Sequence, residues 1–329
     1  MAKAEQIKAL LRSFVDKDEG RFYSIVMQVA ASEARKGHGK LAEELKSLID
    51  HAKSAGYAAI QSKVAIPIAQ PKGELSGLLA VNYPKLRLPD MVLPAKVLRR
   101  LNRILKEQRH ISRLTNHGLR PRRRILLVGP PGCGKTMTAS VLAGELGIPL
   151  FTVRLDGLIT KYMGETSVKL KLIFDSLEQA RGVYLFDEFD SIGSQRASLN
   201  DVGEIRRVLN SFLMFIEHES SQSLIIAATN HPQSLDFALF RRFDDIVEYG
   251  LPDNNQRMAT FKKRLAIVDS QQIDFERLIK ASHDLSYAEI ASACDEAIKE
   301  MIIENKNTLT TEALLAAIKE KKEFTENRK

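Results

Sequence analysis

The sequence predicts an α/β protein, with a mainly parallel sheet between helices, an N-terminal helical region before it and a helical part after it. Three observations point there. From Ile125 onward short apolar runs alternate with amphipathic segments, the pattern of a parallel sheet covered on both faces. One of these runs, ILLV at Ile125–Val128, leads directly into the glycine-rich stretch GPPGCGKT at Gly129–Thr136. After Pro252 the strand-like runs stop, and the chain to about Phe324 reads as helix.

Residues 1 to about 65 carry three helical patterns, AEQIKALLRSFV, RFYSIVMQVAASEARK and KLAEELKSLIDHAK, with apolar residues three and four apart. Gly20, Gly37 and Gly39 punctuate them. The proline-rich stretch QPKGELSGLLAVNYPKLRLPDMVLP reads as an irregular connector. A basic helix follows, VLRRLNRILKEQRHISRL, with Val97, Leu98, Leu101, Ile104, Leu105 and Ile111 as its apolar stripe. Then come the strand-like runs ILLVG, LFTVRL, VYLFDE, SLIIAATN and DIVEYG. Between the first four lie the helix-like MTASVLAGELG, ETSVKLKLIFDSLEQA and VGEIRRVLNSFLMFIE. Further on, Ser286-Tyr287-Ala288-Glu289 has the spacing of a capping box opening a helix. The expected organisation is therefore residues 1–88 as helical region and connector, 89–250 as the α/β part and 251–329 as a helical subdomain.

Composition narrows the class. Hydrophobic residues make up 44% and charged residues 27%, as in ordinary globular proteins. No stretch approaches the roughly 20 apolar residues that span a bilayer, and MAKAEQIKALL lacks the apolar core of a signal peptide. Cys133 and Cys294 stand in unrelated contexts, which argues against a disulfide scaffold and fits a reducing cytoplasm. The net charge of +8 is concentrated: from Lys96 to Arg124 eleven Lys and Arg face one acid, Glu107. That is +10 locally, leaving −2 for the rest of the chain. A nucleic-acid partner rests on this segment alone; the plainer reading is a solvated or inter-subunit helix.

GPPGCGKT fits G-x-x-x-x-G-K-[ST] with a strand before it and a helix after it. Glycines let successive N–H groups turn inward on phosphates, and the following helix adds its positive end. Lys135 is placed to reach the β- and γ-phosphates, and the Thr136 hydroxyl to ligate Mg²⁺. Cys133 reads as a small loop residue rather than a redox centre. VYLFDEFD delivers Asp187 at a strand end, where it suits the Mg²⁺ shell. Glu188 beside it suits orientation and polarisation of an attacking water. SLIIAATN ends in Asn230, an amide able to hold that water or the γ-phosphate from the opposite side. LFRRFDD supplies Arg241 and Arg242, donors for charge developing on the γ-phosphate; a salt bridge with Asp244 or Asp245 is the alternative.

With these four elements in order, the chain resembles the AAA ATPases (ATPases associated with diverse cellular activities) over roughly residues 89 to 305. The resemblance implies a P-loop αβα core, a small helical lid, ATP and Mg²⁺ as ligands, and a homo-oligomeric ring, most often a hexamer. By motif match GPPGCGKT is Walker A, bringing Pro130, Pro131, Gly132, Cys133, Gly134, Lys135, Thr136 and Met137 to the nucleotide. LFDE is Walker B, with Asp187 and Glu188, and Asn230 is sensor 1. Arg242 is the arginine finger acting in trans, with Arg241 as a possible substitute, and Gly118 and Ala288 match positions near the adenine. KYMGET, Lys161 to Thr166, resembles the pore loop of protein-remodelling members, with Lys161, Tyr162 and Met163 gripping an extended chain.

Two positions depart from the family pattern. Leu239 stands where a second arginine is usual, and Tyr287-Ala288-Glu289 stands where the lid usually reads Gly-Ala-Asp. The expected function is an ATP-hydrolysing ring that remodels, unfolds or threads proteins. The chain carries no H-E-x-x-H, so any degradation it serves requires a separately encoded protease. A nucleic-acid motor or loader and an ATP-gated regulator of a partner enzyme are the competing functions.

Overall fold

The structure, a computed structural model, describes residues 71–158, 165–190, 202–235, 237–269, 272–306 and 308–326, together with 25, 26, 29, 30 and 43. Two compact units divide the chain, Met1–Ile68 and Ala69–Lys329. In the first, the described residues are helical and Val29 and Ala30 are buried; the rest of the expected N-terminal helices lies outside the described residues.

The second unit is built on six strands, β1 (Leu79–Asn82), β2 (Arg124–Val128), β3 (Leu150–Val153), β4 (Val183–Phe186), β5 (Leu224–Thr229) and β6 (Asp245–Glu248). Among them run the helices α1 (Leu75–Leu78), α2 (Ala95–Arg109), α3 (Ile111–Thr115), α4 (Lys135–Leu146), α5 (Leu155–Leu158), α6 (Glu165–Gln179), α7 (Val202–His218) and α8 (Phe237–Phe240). The sheet order is β1-β3-β4-β5-β2-β6, parallel except for β1, which is antiparallel to β3.

Both faces of the sheet are buried, and the period of two sorts the side chains. Ile125, Leu127, Val183, Leu185, Leu224 and Ile226 pack in one core with Leu101 and Ile104 of α2 and Leu142 of α4. Leu126, Tyr184, Phe186, Ile225 and Ala227 pack in the other with Ile173 and Phe174 of α6 and Phe212 and Ile216 of α7. This is the expected αβα sandwich. From β2 the chain passes β5 and β4 to reach β3, returns through β4 to β5, then crosses β2 to β6. Such reversals leave a ligand crevice at the carboxyl ends of the strands.

The stretch expected to be an irregular connector instead supplies α1 and β1. β1 is four residues long, and only Leu79 within it is buried, so it leaves little periodicity to detect. On α2 the apolar stripe is Val97, Leu101, Ile104 and Leu105, with Ile111 continuing it in α3. Leu98 sits at the edge of the stripe and is 38% exposed, contrary to expectation. The basic segment is largely neutralised by this chain's own acids. Lys96 pairs with Glu248, Arg100 and Arg122 with Asp245, Arg103 with Glu107, Arg109 with Glu145, Arg123 with Glu219 and Arg124 with Asp244. Seven of its eleven basic side chains thus have an acidic partner within the chain, which leaves less of the segment's charge for a nucleic-acid partner.

Beyond the sheet, α9 (Asn254–Arg264), α10 (Phe275–Ala281), α11 (Tyr287–Ile303) and α12 (Thr311–Glu326) bury their own core around Phe261, Leu278, Ile290 and Leu314. Capping boxes open two of these helices, Asp253 with Gln256 on α9 and, as expected, Ser286 with Glu289 on α11. Cys133 and Cys294 are free thiols in separate cores.

Candidate functional site

A cavity of about 580 Å³ opens at the carboxyl ends of β2, β4 and β5, within the volume range of small-molecule sites. Pro131 to Met137 of the glycine-rich loop, Asp187, Glu188 and Asn230 line one side. Asp90, Met91 and Val92 line another, and the helical subdomain closes it with Thr260, Lys263, Arg264, Tyr287, Ala288 and Ala291.

The loop is shaped by close approaches that exclude side chains. A Cβ on Gly129, at φ +146°, would lie 2.3 Å from the Tyr249 carbonyl oxygen, and one on Gly132, at φ +73°, 2.4 Å from Ser286 Oγ. Ala288 N–H donates to the Gly132 carbonyl at 3.1 Å, so the helical subdomain rests directly on the loop. Below it, the Tyr249 and Thr138 hydroxyls meet at 2.6 Å and brace the first turn of α4.

Lys135 Nζ donates to the carbonyls of Gly129 and Pro130, both at 2.7 Å. Burial pushes its ammonium below the usual lysine range, against the opposing pull of Asp187 and Asp190. Burial pushes the neighbouring Cys133 thiol up, so it stays a neutral, small loop residue. The Thr136 hydroxyl donates to Asp187 Oδ2 at 2.6 Å across 51 residues of sequence. Glu188 N–H donates to Asp187 Oδ1 at 2.9 Å, and Glu188 itself is left-handed at φ +49°. That conformation costs a residue with a Cβ about 1–2 kcal/mol, and such strain gathers at functional turns.

These residues fit a magnesium nucleotide. Thr136 and Asp187 offer adjacent hard oxygen donors, the glycines leave a cradle that a Cβ would fill, and Lys135 holds a cation above the loop. The comparisons with known proteins give the family. Residues 125–251 match the model of the ATPase family associated with various cellular activities, AAA. An uncharacterised AAA family ATPase of Sinorhizobium fredii, y4kL, is 36% identical over 308 residues, covering 93% of this chain and 91% of the relative. The chain belongs to the AAA family. A Plasmodium falciparum protein described as a cell division cycle ATPase is 35% identical to this AAA ATPase over 191 residues, 56% of the chain but 16% of that protein. The crystal structure of the FIGL-1 AAA domain matches with a TM-score of 0.59 at 24% identity, covering 74% of this chain and 86% of that one, which shows the fold.

In this AAA ATPase the sequence-expected residues Pro131, Gly132, Cys133, Gly134, Lys135, Thr136, Met137, Asp187, Glu188, Asn230 and Ala288 all line one cavity. Pro130 contributes its carbonyl to Lys135 instead. Gly118 does not line it: it precedes the amino end of β2, whereas the cavity opens at the carboxyl ends. Arg241 and Arg242 do not line it either. Arg242 pairs with Glu217 at 2.7 Å; Asp244 and Asp245, the partners named in the alternative reading, are engaged by Arg124 and Arg100. Leu239 is fully buried, so the position where the family carries a second arginine is here a core plug. Lys161, Tyr162 and Met163 lie outside the described residues.

Sequence reasoning missed Asp90–Val92, Thr260, Lys263 and Arg264. None sits in a motif, and each reaches the cavity only through packing; Lys263, for example, donates to the Pro89 carbonyl. Tyr287 stood out in the sequence as a departure, and it lines the cavity with its hydroxyl donated to Gln256 Oε1 at 2.7 Å. Burial pushes its phenol well above the usual range, so it remains a neutral donor fastened to α9.

Proposed function

We propose that this AAA ATPase binds ATP with Mg²⁺ in the cavity, hydrolyses it, and uses the cycle to remodel or thread protein substrates as a homo-oligomeric ring. The observation that carries the hydrolytic reading is the Thr136–Asp187 hydrogen bond at 2.6 Å, with Glu188 and Asn230 on the same cavity. Lys135 exchanges its two loop carbonyls for phosphate oxygens. Thr136 and Asp187 are the residues that would hold Mg²⁺, which would supply charge stabilisation at the phosphate oxygens when bound. Glu188 orients the attacking water and accepts its proton, while Asn230 fixes the far side of the reacting group.

Arg242 is 43% exposed and its partner Glu217 47%. Exposed pairs of this kind contribute about 0–1 kcal/mol, so assembly can redirect the arginine to a neighbouring protomer's nucleotide at little cost. The remodelling part rests on KYMGET and its Tyr162. A separately encoded protease is the partner if degradation follows, and cytoplasmic localisation accords with the two free cysteines. Among the described residues no helix is long and apolar enough to cross a membrane.

The deciding experiment is Glu188→Gln. Hydrolysis should slow by about 10²–10⁴-fold while Mg-ATP affinity stays within about threefold. Weakened binding with unchanged turnover of bound nucleotide would mean that another group activates the water. Unfolded protein should then stimulate the wild-type ATPase, and Tyr162→Ala should abolish that stimulation. Stimulation by single-stranded DNA alone, weakening steeply with salt, would establish the nucleic-acid motor instead.

A further inference from the structure

Asp190 has no part in the mechanism above, yet it joins two segments that do. Its Oδ1 accepts from the Thr229 hydroxyl at 2.9 Å and from the Asn230 N–H at 3.3 Å. One residue earlier, Phe189 N–H donates to the Ala228 carbonyl at 2.8 Å, and its buried ring lies 4.7 Å from that of Phe212. The Thr229 oxygen in turn accepts from His231 N–H at 3.0 Å. The turn after β4, which carries the left-handed Glu188, is therefore fastened along its far side to the end of β5, which carries Asn230.

We propose that Asp190 is a positioning residue that holds Glu188 and Asn230 in one mutual geometry across the reacting phosphate. The inference rests on the roles given to those two residues above. A carboxylate acceptor is stronger than a neutral one, and here it adds a charged tie beside the backbone bond from Phe189 to Ala228. Lys135 and Thr136 are held by other partners, the loop carbonyls and Asp187. Loss of the tie at Asp190 therefore separates turnover from binding. Displacement of a catalytic group by about 1 Å costs on the order of 100-fold in rate.

The test compares Asp190→Ala, Asp190→Asn and Thr229→Val with wild type and Glu188→Gln in the full chain. Steady-state phosphate release gives kcat, calorimetric titration with Mg-ADP gives Kd, and thermal unfolding reports folding. Asp190→Ala should lower kcat about 10- to 100-fold with Kd within about threefold of wild type. Asp190→Asn retains the acceptor oxygen, removes the charge that acts on Lys135, and should recover most of the rate. Thr229→Val should lower kcat several-fold, and it carries the test alone should the alanine variant fail to fold.

Full-rate turnover by Asp190→Ala, or by Thr229→Val if it stands alone, overturns the inference. So does an asparagine variant no faster than the alanine one, or affinity falling in step with rate. If Glu188→Gln itself hydrolyses at the wild-type rate, the roles assigned to the site fail and this inference falls with them. If Glu188→Gln is slow and Asp190→Ala is fast, only the inference fails.

Discussion

At Gly132 one absent carbon lets the helical subdomain meet the glycine-rich loop. Its φ is +73°, and a Cβ would fall 2.4 Å from Ser286 Oγ and 3.2 Å from the Ala288 Cβ. Gly132→Ala is expected to cost about 1–2 kcal/mol for the backbone alone, since side chains resist the left-handed region. The steric conflict adds to that and prises Ala288 off the loop, so Mg-ADP affinity should drop about tenfold or more, the equivalent of 1.4 kcal/mol, in a calorimetric titration. Unchanged affinity would show that the contact between loop and helical subdomain does not shape the site. Lys135, Thr136, Asp187 and Glu188 were legible in the sequence because their chemistry is written in contiguous spacing beside strand-forming residues. Tyr287 was visible only as an irregularity, and Lys263 and Arg264 not at all. A residue at the end of a helix carries no mark of what that helix will be packed against.

Among elements, the central strands were the easiest to read, because β2, β4 and β5 are buried on both faces and show as unbroken apolar runs. β1 escaped notice because it is short, lies at the edge and follows a four-residue helix without a side-chain cap. The amino end of β2 is held by charge as well as apolar packing. Arg123 donates to Glu219 at 3.0 Å, with side-chain exposures of 10% and 2%, and so ties the start of β2 to the end of α7. Arg123→Ala leaves the buried Glu219 carboxylate without its cation, with Ser221 N–H still donating to Oε1, and is expected to destabilise the protein by about 3 kcal/mol in chemical denaturation at neutral pH. Arg124→Ala is a further contrast, since its pair with Asp244 is about a quarter exposed on both sides and should matter less. Equal losses for the two would indicate that burial is not what gives the first pair its weight.

For the molecule as a whole, the arginines and the loop answer different questions. The chain brings Lys135, Asp187, Glu188 and Asn230 to one cavity and leaves Arg241 and Arg242 outside it. If Arg242 serves a neighbouring site, Arg242→Ala and Lys135→Ala proteins should each be inactive, and mixing them should restore phosphate release at about one quarter of the interfaces of a randomly mixed ring. Arginine variants that hydrolyse at the wild-type rate on their own would rule out that division of labour. The sequence by itself determined the glycine-rich loop between strand and helix, the α/β class and the helical character of the C-terminal part. Each of those depends on residues adjacent in the chain or repeating at a fixed period. Tertiary structure alone decided which distant groups share the cavity, that Asp190 joins two strand ends, and that the basic segment meets acids from elsewhere in the chain. Such contacts are set by packing between elements, and packing distances are not encoded in any local run of residues.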